Sequence, residues 1–117
     1  MPPEDRIRLQ HMLEAAEKAQ ALADRRKRED LERDEPFLLA LIKYLEIIGE
    51  AAAKTTEQTQ KAHPTIPWRE IVGMRNRLIH VYFDVNVHII WRTIEDDLPS
   101  LITEIKRILV AERDNQT

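Results

Sequence analysis

Cysteine is absent from this 117-residue sequence, and glycine occurs only twice. The first absence excludes a disulfide scaffold, a thiolate zinc site and a thiol nucleophile. The second, together with aromatic residues at 5%, argues against the turn-rich pattern of a β-sandwich. The longest purely apolar run, Phe37 to Ile42, falls far short of the roughly 20 residues that span a bilayer. Met1-Pro2-Pro3-Glu4-Asp5 is acidic and has no apolar core, so it does not read as a signal peptide. Neither sign of charge dominates. Eighteen Lys plus Arg against 21 Asp plus Glu leave a net charge of −3, which argues against a general nucleic-acid coat and leaves a local basic patch open. What is abundant is 43% hydrophobic and 33% charged sequence, the balance of long amphipathic helices. The expectation is one cytoplasmic all-α domain over residues 1–117, frayed at 1–4 and 114–117, with no membrane contact.

From about Asp5 to Arg33 strong helix formers run without Gly or Pro, which predicts a long first helix. Leu9, Met12, Leu13, Ala16, Ala19 and Ala23 give it one buried stripe, interrupted by Gln20. The mixed charges from Asp24 to Glu35 read as a solvated helix end or loop. Asp34 or Glu35 before Pro36 starts a second helix, since proline suits a first turn. The stretch from Phe37 to Ala53 is apolar around most of its circumference and should be the most buried helix. Gly49 and the alanines after it allow a neighbouring helix to approach closely. Glu46 and Glu50 share a face, and ordinary exposed glutamates fit better than a metal pair because no matching Glu-x-x-His accompanies them. A linker should lie in the polar stretch Thr55 to Lys61 and in His63-Pro64-Thr65-Ile66-Pro67, which cannot continue a helix. Pro67 opens a third helix, and Asp84-Val85-Asn86 caps a fourth over Val87 to Asp96. Asp97-Leu98-Pro99-Ser100 marks a kink or restart before a last helix from Leu101 to about Arg113. The sum is a four- to five-helix antiparallel bundle.

The third helix carries the residues with chemistry. At about 100° per residue, Ile71, Met74, Leu78, Val81 and Val85 share a core sector flanked by Val72 and Ile79. Gly73, Asn76, Arg77 and His80 fall opposite. A mid-helix glycine costs about 1 kcal/mol relative to alanine, so close approach of another backbone explains it, and this stripe is expected to be a helix-on-helix dimer contact that brings His80 and Arg77 of two copies together. Arg75 falls toward the core side and fits that stripe less well. Residues 68 to 92 carry a local charge of +2, which leaves −5 for the rest. Doubled at a two-fold axis, the segment makes a small basic cleft suited to a few phosphates.

Imidazole can move a proton near neutral pH, and guanidinium can stabilise extra charge on a five-coordinate phosphate. RNA supplies its own nucleophile, the 2′-OH. These residue types therefore permit metal-independent transesterification with no cofactor, leaving a 2′,3′-cyclic phosphate and a 5′-hydroxyl.

Arg75-Asn76-Arg77-Leu78-Ile79-His80-Val81-Tyr82 resembles the signature of the HEPN superfamily, in the Arg-x4-His-x-Tyr form of its HepT branch. Tyr44 to Ala51, Ile66 to Asn76 and Asp97-Leu98-Pro99 are similar to further landmarks of that family, so the resemblance covers roughly residues 35 to 110. Asp84 stands where the family often has glycine. The resemblance implies a dimeric all-α ribonuclease toxin of a toxin–antitoxin pair, with an active site built from the Arg and His of both subunits. Arg75 would polarise the scissile phosphate, His80 would be general acid or base, and Asn76 would orient one of them. The implied partner is an MNT-type nucleotidyltransferase antitoxin that AMPylates the motif tyrosine, here Tyr82. Arg77 is added as a substrate-phosphate contact on the residue reading alone. An ideal helix separates Arg75 and His80 by roughly 140°, so either the helix loosens near His80 or the second copy supplies one of the two groups. AMP on Tyr82, which shares a side with Arg75, would compete for its guanidinium. The RNA substrate, tRNA or mRNA, is not specified by arginines that read phosphates. Two other readings stay open: a HEPN-type module that binds nucleotide or RNA without cutting it, and a structural helical dimer whose motif residues serve the interface.

Overall fold

Pro3 has no N–H to leave unpaired in a first helical turn, and helix α1 (Pro3–Ala23) begins with it. The computed structural model describes residues 1–80 and 86–115, the side chains of Ile79 and His80 excepted. Leu9, Met12, Ala16, Ala19 and Ala23 are buried along α1 as their spacing requires, with Ala15 added, Leu13 at the margin and Gln20 exposed.

The first helix does not continue to Arg33. Arg25 takes a φ of 62°, a left-handed conformation that ends a helix, and local polar bonds then compete with helical ones. The Asp30 carboxylate accepts the Lys27 N–H at 2.8 Å. Arg26 reaches Asp30 at 3.2 Å and Asp34 at 2.8 Å, and its guanidinium lies 3.9 Å from the centre of the Phe37 ring. Between these ties sits the four-residue α2 (Asp30–Arg33), which buries Leu31. Asp34 then caps α3 (Glu35–Lys54) by accepting the Phe37 N–H at 3.2 Å. Helix α3 buries Phe37, Leu41, Ile42, Leu45, Ile48 and Gly49 through its centre.

The polar stretch expected as linker is in part a helix, α4 (Glu57–Ala62), capped by Thr56. Its anchor is Asp5, buried in the first turn of α1, whose carboxylate accepts the Thr56 N–H and the Thr56 and Thr59 hydroxyls. The proline-bounded segment follows, closed by a bond from the Trp68 indole N–H to the His63 carbonyl at 3.0 Å.

Helix α5 (Trp68–His80) packs mainly on α3. Asn86 accepts the His88 and Ile89 N–H groups and starts α6 (Val87–Arg92). The kink or restart expected at 97–100 takes the form of a π-helical turn, Thr93–Asp97, that runs straight into α7 (Leu98–Asn115). Pro99 cannot donate a hydrogen bond, and its ring would crowd the carbonyl four residues back. A wider i→i+5 turn relieves that crowding, with the Leu98 N–H bonded to the Thr93 carbonyl. It also keeps Ile90, Ile94 and Leu98, four residues apart, all buried.

Helix α1 packs against both α3 and α7. The result is the expected all-α bundle of four long helical stretches, with no strand among the described residues. The core roles expected for Val81 and Val85, the cap role and family difference at Asp84, the modification at Tyr82 and the fraying of residues 116 and 117 lie outside the described residues.

Candidate active site

Arg75 is positioned by a helix crossing. A Cβ placed on Gly49 of α3 would overlap the Arg75 Cβ and come within 3.3 Å of the Ile71 carbonyl oxygen. Only a residue without a side chain lets α5 come this near. The close approach expected at Gly49 is thus present, and its partner is the arginine that the wheel places toward the core. Arg75 is half-buried, whereas Asn76 is exposed. The Arg75 Nε and Nη2 groups both donate to Asn76 Oδ1, at 3.3 and 3.0 Å. Among the described residues the guanidinium meets an amide acceptor and no carboxylate, which suits it to an anionic ligand.

Among the described residues of this one chain, nothing covers the other face of α5. Asn76 and Arg77 are exposed, and a Cβ at Gly73 would meet nothing within 4 Å. Ile71, Val72 and Met74 are only partly buried. His80 is the last residue of α5.

Arg77 does not join Arg75. It lies roughly 160° around the helix from it and lines a separate cleft between α5 and the π-turn. Arg92, a residue that sequence reading counted in the local positive charge without assigning a role, lines the same cleft. Glu104 at its edge is already engaged by the Thr65 hydroxyl at 2.6 Å and by Arg107. Those bonds, Arg107 first, hold its carboxyl below the usual range against a small opposing effect of burial. Of the other histidines, His88 is exposed with both ring nitrogens 3.1 Å from Arg28 Nη1.

The family described as "Ribonuclease HepT-like" matches residues 12–108. A protein of Caldanaerobacter subterraneus subsp. tengcongensis, provisionally named RNase TTE0752, is 44% identical over 85 residues, covering 73% of this chain and 76% of that protein. A protein of Thermococcus cleftensis named probable ribonuclease HepT is 42% identical over 80 residues, covering 68% and 73%. A provisionally named RNase of Methanocaldococcus jannaschii, MJ1380, is 39% identical over 67 residues, covering 57% and 62%. No solved structure matches the chain.

Proposed function

We propose, from the premise that this chain belongs to the HepT-like ribonuclease family, that it is a metal-independent endoribonuclease toxin working as a homodimer. The observation that carries the reading is the Arg75–Asn76 pair: a guanidinium whose stem is set by the α3–α5 crossing and whose head meets an amide acceptor, with no carboxylate on it among the described residues. Asn76 orients Arg75, as a positioning residue should.

In the proposed reaction a ribose 2′-oxygen attacks the adjacent phosphorus, and the bond from phosphorus to the 5′-oxygen breaks. His80 exchanges the proton, taking it from the 2′-OH or giving it to the departing 5′-oxygen. Arg75 stabilises the charge that builds on the non-bridging oxygens. The products are a 2′,3′-cyclic phosphate and a 5′-hydroxyl. Arg77 serves as a phosphate contact away from the cut. Control comes from an MNT-type nucleotidyltransferase: the Tyr82 phenol oxygen attacks the α-phosphorus of ATP, releases pyrophosphate and carries AMP, whose charge competes for Arg75.

The test is cleavage of end-labelled single-stranded RNA by purified protein in EDTA, with product ends identified by mass. Cyclic phosphate ends are expected, with activity reduced on the order of a hundredfold or more by His80→Ala and RNA binding retained. Expression of the wild-type chain alone should arrest growth, and His80→Ala should relieve the arrest. RNA that binds and stays whole would establish the non-cleaving module instead.

A further inference from the structure

The cleft between α5 and the π-turn encloses about 430 Å³, at the small end of the roughly 300–1,000 Å³ range of ligand pockets. Its floor is aliphatic, with Ile48, Ile71, Met74 and Leu101 among its walls. Two guanidinium groups line it, Arg77 and Arg92, and both are exposed with no hydrogen bond or ion pair among the described residues. Its acidic side chains divide by availability. Glu104 is occupied by Thr65 and Arg107, while the Glu70 and Asp97 carboxylates, which also line the cleft, have no partner among the described residues, and Ser100 bonds only the Asp97 backbone carbonyl.

The π-turn sets this arrangement. A five-residue ring brings positions five apart to neighbouring places, so Arg92 and Asp97 reach the same cleft from one short segment. Such turns concentrate at functional positions in helices. An aliphatic floor takes the face of a flat ring. Free guanidinium groups take phosphate. A carboxylate only accepts hydrogen bonds, and among the RNA bases guanine offers two adjacent N–H donors on its Watson–Crick edge.

We propose that this cleft is a base-reading subsite of the enzyme, taking one unpaired nucleotide of the RNA away from the scissile bond, guanine above the others. Arg77 and Arg92 hold its phosphate and Asp97 accepts from its N1–H and N2–H groups. The subsite rests on the ribonuclease reading for its biological ligand, and its binding chemistry is measurable without it.

The experiment is a titration of the ¹⁵N-labelled full chain with GMP, AMP, CMP and UMP. Saturable shifts are expected at the amides of Met74, Thr93 and Ser100, with GMP bound roughly tenfold more tightly than UMP. Asp97→Asn should erase that preference, Arg92→Ala should weaken all four nucleotides together, and Glu95→Gln, on the same turn outside the cleft, should change neither. The same Asp97→Asn change should flatten any guanine preference in RNA cleavage. Absence of saturable binding at those amides, or four equal affinities that Asp97→Asn leaves unchanged, overturns the subsite. So does a dimer that Ser100→Trp dissociates, since the cleft would then be covered by a second copy. Nucleotide binding with no RNA cleavage retains the subsite and refutes the enzyme; cleavage with an empty cleft does the reverse.

Discussion

Asp5 shows how a single charge can fix a fold and stay invisible to pattern reading. In the first turn of a helix an acidic residue looks like ordinary dipole compensation, yet this one is 1% exposed and its acceptors meet donors more than 50 residues away. Burial pushes its carboxyl up. The Thr56 and Thr59 hydroxyls, at 2.5 Å each, and the Thr56 N–H outweigh that effect and hold it below its ordinary value. A group that is harder to protonate when folded stabilises the fold above its unfolded pKa, near 4. That stability is lost as the pH falls through the lower, folded value. Urea midpoints taken from pH 6 down to pH 3 should therefore fall more steeply for the wild type than for Asp5→Asn. At pH 6 the variant should be less stable by about 1–3 kcal/mol. Arg25 was hidden for a related reason: nothing in a run of good helix formers marks the residue whose φ turns positive.

The helices most legible in the sequence are those whose burial follows a simple period. Helices α1 and α3 have it. Helix α4 does not, because its stability comes from a threonine cap and the tie to Asp5 rather than from an apolar stripe. The π-turn escaped because Pro99 signals only that an ordinary helix cannot pass, and a widened turn satisfies that constraint as well as a break does. At the α3–α5 crossing each half of the contact was readable and their pairing was not: Gly49 as a place of close approach, Arg75 as a charge on the core side. Gly49→Ala tests the crossing. The new methyl has no space between the Arg75 Cβ and the Ile71 carbonyl, so α5 must shift away from α3. The expected cost is about 1–3 kcal/mol, read as a lower urea midpoint, and RNA cleavage should fall by more than the unfolded fraction explains because Arg75 moves with the helix. Cleavage at the wild-type rate in a destabilised protein would separate the crossing from the chemistry.

Across a molecule of 49 × 29 × 19 Å, α5 stands out as a helix that, among the described residues, is packed mainly on one neighbour. Helix α3 holds it, Ile71, Val72 and Met74 remain partly exposed, and the space over Gly73 is open. Sequence periodicity marked this helix as the candidate site because its polar face carries Asn and Arg where Lys and Glu would be ordinary. It could not reveal that Arg77 would line a cleft that Arg75 does not, since that depends on α3 and the π-turn, which lie outside α5. The same geometry makes a composite active site testable. If Arg75 of one copy works with His80 of the other, Arg75→Ala and His80→Ala proteins are each inactive, but a mixed dimer keeps one site with both groups intact. Co-refolding the two variants should then restore cleavage that neither shows alone. Activity should rise with the mixed-dimer fraction, measured by native mass spectrometry with one variant isotopically labelled. Mixed dimers that form and remain inactive would place both groups of each working site on a single chain, with the helix loosening near His80 to bring them together.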